Sequence, residues 1–151
     1  MMQSKRIDPL LRRAQEQEDK VARELAERQR TLETHQSRLE ELRRYAEEYA
    51  NSQLAGTSAV ALSNRRAFLD RLDSAVLQQA QTVESNIAKV ESERTRLLLA
   101  SREKQVLEQL AASYRAQENK VIERRDQREM DDLGARRSRL ARAEDTHGES
   151  V

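Results

Sequence analysis

In LLRRAQEQEDKVARELAERQRTLE, residues 10–33, apolar side chains fall at Leu11, Ala14, Val21, Leu25 and Leu32. With Glu18 and Arg28 filling the gaps, the steps alternate strictly between three and four residues. That spacing lays one line of side chains along a helix, which is the seam of a coiled coil. The same line continues through His35, Leu39, Leu42, Ala46 and Tyr49. Only Glu18, Arg28 and His35 interrupt its apolar character. Upstream, Asp8-Pro9 reads as a helix start, with Asp as N-cap and Pro at the first helical position. The first helix is thus expected over about 9–54.

Composition points the same way. The chain has 151 residues, 36% of them charged and only 3% aromatic, with three Gly and one Pro. Such a sequence lacks the bulky side chains for a compact core and suits long helices joined along a thin seam. The length suggests one domain over 1–151. Charge is balanced: residues 1–54 carry 11 basic and 11 acidic side chains, and 55–133 carry 13 of each. A one-sided basic field of the kind that binds nucleic acid is therefore not expected. The absence of Cys removes disulfides and thiol chemistry and suits a reducing compartment. The longest apolar run, Leu97–Ala100, is far short of the roughly 20 residues of a membrane span. The reading is a soluble, cytoplasmic chain without direct membrane insertion.

The first cluster of small and turn-forming residues is Leu54-Ala55-Gly56-Thr57-Ser58. Gly56 suits a helix C-cap, and Thr57 or Ser58 suits the next N-cap. Ser63-Asn64 is a second candidate start, which makes 55–63 a turn or a short helical corner. The second helix, about 64–133, has a seam of Leu69, Leu72, Val76, Val83, Val90, Leu97, Ala100, Leu107, Ala111, Tyr114 and Val121. Gln79, Asn86, Glu93, Lys104 and Glu118 occupy the intervening positions, so this seam is the narrower one. Gly134 reads as a stop, and 134–151 as a disordered basic tail.

The fold class is therefore all-α: two long helices in an antiparallel coiled-coil hairpin, the second longer. At 1.5 Å per residue they span roughly 68 and 105 Å. Folded back at 56–60, Leu11 falls opposite residues near 103–107, and everything beyond about 108 overhangs. Leu107, Leu110, Tyr114 and Val121 form an apolar stripe on that overhang. Each large apolar side chain left in water forfeits about 1.5–3 kcal/mol. Either residues 1–8 and self-association cover the stripe, or another protein does.

Catalytic signatures are missing. Gly occurs only at 56, 134 and 148, so no Gly-rich phosphate loop is available. His35 and His147 stand alone, and no metal or cofactor is expected. Carboxylates spaced three or four residues from Arg read as surface pairs. The chain reads as a non-enzyme.

Three further stretches are distinctive: LRRYAEEYA (42–50), NRRAFLDRLDSAVLQQ (64–79) and RRDQREMDDL (124–133). Together with 10–33, in this order and spacing, they resemble the FliJ family of flagellar type III protein export. The resemblance implies a cytoplasmic stalk, peripherally associated with the inner-membrane export apparatus and needed for motility. Its chain ends would stand in the hexameric export ATPase, and its hairpin tip would point to the FlhA-type export gate protein. Export chaperones are further implied partners. The equivalent stalk of a virulence-type injection system, and a self-associating structural coiled coil, remain alternative readings.

Carried onto these residues, the resemblance places gate binding at Leu42, Tyr45, Tyr49, Phe68, Leu72, Ala75 and Gln79. It places ATPase binding at Asp126, Gln127, Met130, Asp131 and Leu133, to which the stripe of Leu107, Leu110, Tyr114 and Val121 is added. Leu133 stands where the family commonly has Phe. Tyr49 lies on the seam and reads as packing. Tyr45 is one position off it, beside Ala46, and reads as a binding residue.

Overall fold

The structure, a computed structural model, describes residues 3–52 and 58–148. Two helices account for nearly all of them: α1, Gln3–Asn51, and the longer α2, Ala59–Gly148. They pack antiparallel as an all-α hairpin, as the heptad pattern requires. The chain divides into two compact units: Ala14–Glu103, and Met1–Arg13 with Lys104–Val151.

In the unit Ala14–Glu103 the seam carries the core. Val21 is 1% exposed, and Leu39, Leu72, Val83, Val90 and Ala100 are buried with it. The polar seam positions are accommodated individually. Asn86 is buried and donates from Nδ2 to the Thr82 carbonyl at 2.8 Å. His35 is half-buried, and Gln79 Nε2 donates to its backbone carbonyl at 3.0 Å, with ring Nδ1 at 3.1 Å. Glu93 is half-buried and holds Arg96, which also bridges to Glu24 on α1 at 2.9 Å. Bonding first to Glu93 and then to Glu24 raises the Arg96 pKa above its ordinary value. Arg28 is exposed rather than seated in the seam.

α2 begins at Ala59, not at Ser63-Asn64. Ser58 caps it: Oγ accepts from the Ala61 amide at 3.2 Å, and the Ser58 carbonyl accepts from Leu62 N at 3.1 Å. Residues 59–63 are thus the first turn of α2 rather than a separate corner. The expected C-cap at Gly56 and the remaining turn lie outside the described residues.

In the other unit four expectations change. α1 does not start at Asp8-Pro9; Pro9 sits inside the helix. A Pro there leaves the Lys5 carbonyl without its intrahelical donor. The turn before it is held by packing instead: Ile7 and Ser4 are buried, and on α2 Ala111 is 1% exposed. The overhang accordingly begins later than residue 108. Ser4 pairs with Glu118 and Asp8 with Arg115, so Leu107, Ala111 and Tyr114 are covered or half-covered by α1. Val121, expected in the seam, is exposed. Gly134 does not stop α2, which continues through the expected tail to Gly148. Every described side chain from Val121 to Thr146 is nevertheless exposed.

Candidate binding surfaces

The hairpin tip gathers three of the four aromatic residues of the chain. Phe68 packs on Tyr49 with ring centroids 4.6 Å apart and 63° between planes. Tyr45 also meets Phe68 edge-on, at 6.4 Å and 86°. These edge-to-face geometries align the positive ring edge with a neighbouring negative face. Arg65 from α2 completes the cluster, its guanidinium 5.7 Å from the Tyr49 ring centroid.

Arg65 has a second task. α1 has no basic residue in its last turn. Its final carbonyls need donors from elsewhere. Arg65 Nη2 donates to Tyr49 O at 3.1 Å and Ala50 O at 2.9 Å, while Ser52 Oγ donates to Tyr49 O at 2.8 Å. The C-terminus of α1 is therefore capped by α2.

Tyr45 and Tyr49 then part company. Tyr49 is half-buried against Phe68 and Arg65, whereas Tyr45 remains 50% exposed. An open groove runs beside Tyr45, lined by Arg38, Glu41, Leu42 and Gln79. Leu72 is buried, and Ala75 and Phe68 are half-buried. Of the seven tip residues singled out in the sequence, Tyr45 presents the largest free surface. Leu42 and Gln79 flank it, while Leu72 serves the core.

The terminal unit has a different surface. Glu118 receives the Ser4 amide at Oε1, 3.0 Å, and the Ser4 hydroxyl at Oε2, 2.6 Å. The Ser4 hydroxyl first, and then the Ser4 amide, hold the Glu118 carboxyl below its ordinary pKa. α1 has no acid in its first turn, so this carboxylate from α2 also serves as its N-terminal cap. Just past it, Gln3, Tyr114, Gln117, Val121, Ile122 and Arg125 line an open groove. Leu110, Met130 and Leu133 are exposed, as are Asp126, Gln127 and Asp131, the last two joined at 3.3 Å. Leu107 and Tyr114 are half-buried, so they offer less than the later residues.

Sequence reasoning missed both caps and the extension of the seam. The signal for the extension was present: Ser4 and Ile7 continue the three-and-four spacing backwards from Leu11. The Asp8-Pro9 start signal obscured it. Nothing local marks Arg65 or Glu118, because each acts on the other helix.

Among the described residues no group of three or more His, Cys, Asp or Glu is placed to hold a metal ion. No helix there is long and apolar enough to cross a membrane. Two long helices packed antiparallel along a heptad seam define the class of all-α coiled-coil hairpins. Within that class, the model of the flagellar FliJ protein family matches residues 3–143, and the chain belongs to this family. It is a component of the flagellar export apparatus. No curated protein and no solved structure matches the chain.

Proposed function

We propose that this chain is the non-enzymatic stalk of the flagellar export apparatus. Its terminal unit binds the hexameric export ATPase, and its tip binds the FlhA-type gate protein. It works in the cytoplasm, peripherally at the inner membrane, and also engages export chaperones. The observation that carries the reading is α2 beyond Glu118: regular helix, yet with Val121, Ile122, Met130 and Leu133 all exposed. A helix of that composition is marginal alone and gains its stability from a partner. Covering each of these side chains on binding contributes about 1.5–3 kcal/mol. At the tip, half-exposed Tyr45 above its groove has the character of a binding hot spot.

Self-association through the same helix is the weaker reading. Continuing the alternating seam spacing from Glu118 leads past Val121 to Arg125, Arg128, Asp132, Ala135 and Arg139. A second copy would meet charges where a coiled coil requires apolar side chains. The test is to add the purified chain to its cognate export ATPase and follow ATP hydrolysis. Stimulation, with no hydrolysis by the chain alone, is expected. Two folded proteins with no stimulation between them would overturn the stalk reading.

A further inference from the structure

Gln79 belongs to two sites at once. It lines the open groove beside Tyr45 with Arg38, Glu41 and Leu42, and it also stands on the α2 seam that faces α1. Its amide nitrogen lies 3.0 Å from the His35 backbone carbonyl and 3.1 Å from the His35 ring Nδ1. A backbone carbonyl can only accept, so the amide has to turn its NH2 group toward it. The reverse orientation would set Oε1 against the carbonyl oxygen, acceptor against acceptor. The ring then follows from the amide. Nδ1 faces a donor and accepts from it, which assigns the imidazole proton to Nε2.

The amide N–H groups of Gln79 are thereby committed to α1. Oε1 has no hydrogen bond among the described residues. A glutamine side chain is ordinarily rotamer-rich, and two bonds to one residue on the facing helix remove that freedom. His35 gains no ion pair across the seam in return, because residues 74–83 of α2 include no charged side chain. A leucine at position 35 would complete the apolar line of α1, whereas a polar residue there costs stability. What the histidine supplies is an acceptor aimed at Gln79.

We propose that His35 is a positioning residue for the tip groove. It holds the Gln79 amide so that Oε1 is offered, as a fixed acceptor, to an N–H or O–H donor of the gate protein. His35 itself need not touch that partner. The proposal rests on the reading of the tip as the gate-binding surface.

The experiment titrates the purified FlhA-type gate protein against the full chain and its variants, with thermal melting of each. His35→Leu should melt no lower than the unaltered chain and bind the gate protein about fivefold more weakly, the share of one net hydrogen bond. His35→Asn sets Oδ1 where Nδ1 stands and should keep binding intact. Gln79→Ala should weaken binding, and adding His35→Leu should cause no further loss, because the histidine acts through the glutamine. A histidine that served only packing would move melting and binding together. Full binding by His35→Leu, additive losses in the double variant, or weak binding by a normally melting His35→Asn chain overturns the proposal. Nitrogen NMR of the free chain in mildly alkaline buffer reads the hydrogen bonds without a partner. A proton on Nε2 and slowed exchange of the Gln79 side-chain amide are expected, and a proton on Nδ1 overturns the proposal. If that signature is present and the unaltered chain does not bind, the gate reading is overturned, and the binding role of Gln79 with it.

Discussion

Tyr45 and Tyr49 are one helical turn apart and differ in burial. Tyr49 is pressed between Phe68 and the Arg65 guanidinium, so Tyr49→Ala removes a packed ring and should cost about 2 kcal/mol of stability. Tyr45 keeps half its surface free and touches Phe68 only edge-on. Tyr45→Ala should cost less than about 1 kcal/mol and weaken binding of the gate protein by at least about tenfold. Thermal melting and a binding titration on the two variants separate these roles. A collapse of melting in Tyr45→Ala would make it a core residue. The position one step off the seam made this division readable in the sequence. The ring geometry was not readable, because Phe68 comes from the other helix.

At the scale of the element, both ends of α1 are completed by α2. Arg65 donates to the Tyr49 and Ala50 carbonyls, and Glu118 accepts from the Ser4 amide. Arg65→Gln should fray the last turn of α1, seen as faster amide exchange over Ala46–Asn51, with a stability loss of about 1 kcal/mol. At the other end Glu118 has a lowered pKa in the folded chain, so it binds fewer protons there than when unfolded. Its contribution is therefore present above the unfolded carboxylate pKa and lost as pH falls through the folded value. Amide exchange at Ser4 to Asp8 should accelerate in acid below the ordinary carboxylate range. Glu118→Gln should abolish that pH dependence. Ser4→Ala removes the hydroxyl half of the cap and should cost about 1 kcal/mol. If exchange in this turn ignores both pH and the Glu118 substitution, the cap has no energetic role.

At the scale of the whole molecule, the position where α1 ceases to cover α2 determines how truncations behave. A chain ending at Ile122 retains the partners of Ser4 and Ile7 and should melt close to the full-length protein. It should also fail to stimulate the export ATPase, having lost Asp126, Gln127, Met130, Asp131 and Leu133. A chain ending at Leu107 should additionally release the first turn of α1, because Ala111 and Glu118 are gone. Circular dichroism on melting, together with ATPase assays, distinguishes the two. If the chain ending at Ile122 stimulates fully, the later residues are not the ATPase contact.

The sequence by itself determined the helical class, the hairpin and the seam, down to the polar positions Gln79, Asn86, Glu93 and Glu118. Those features follow from a spacing of three and four residues, which both helices repeat locally, α2 as far as Glu118. Family membership was equally legible, through LRRYAEEYA, NRRAFLDRLDSAVLQQ and RRDQREMDDL. Only the tertiary structure decided the register, the start of α1 before Pro9, and the two caps. Each of these balances a local preference against contacts from residues far along the chain: Pro9 against buried Ile7, and the open ends of α1 against Arg65 and Glu118. Local spacing cannot report on such distant partners, and their burial and hydrogen bonding outweigh the local signal.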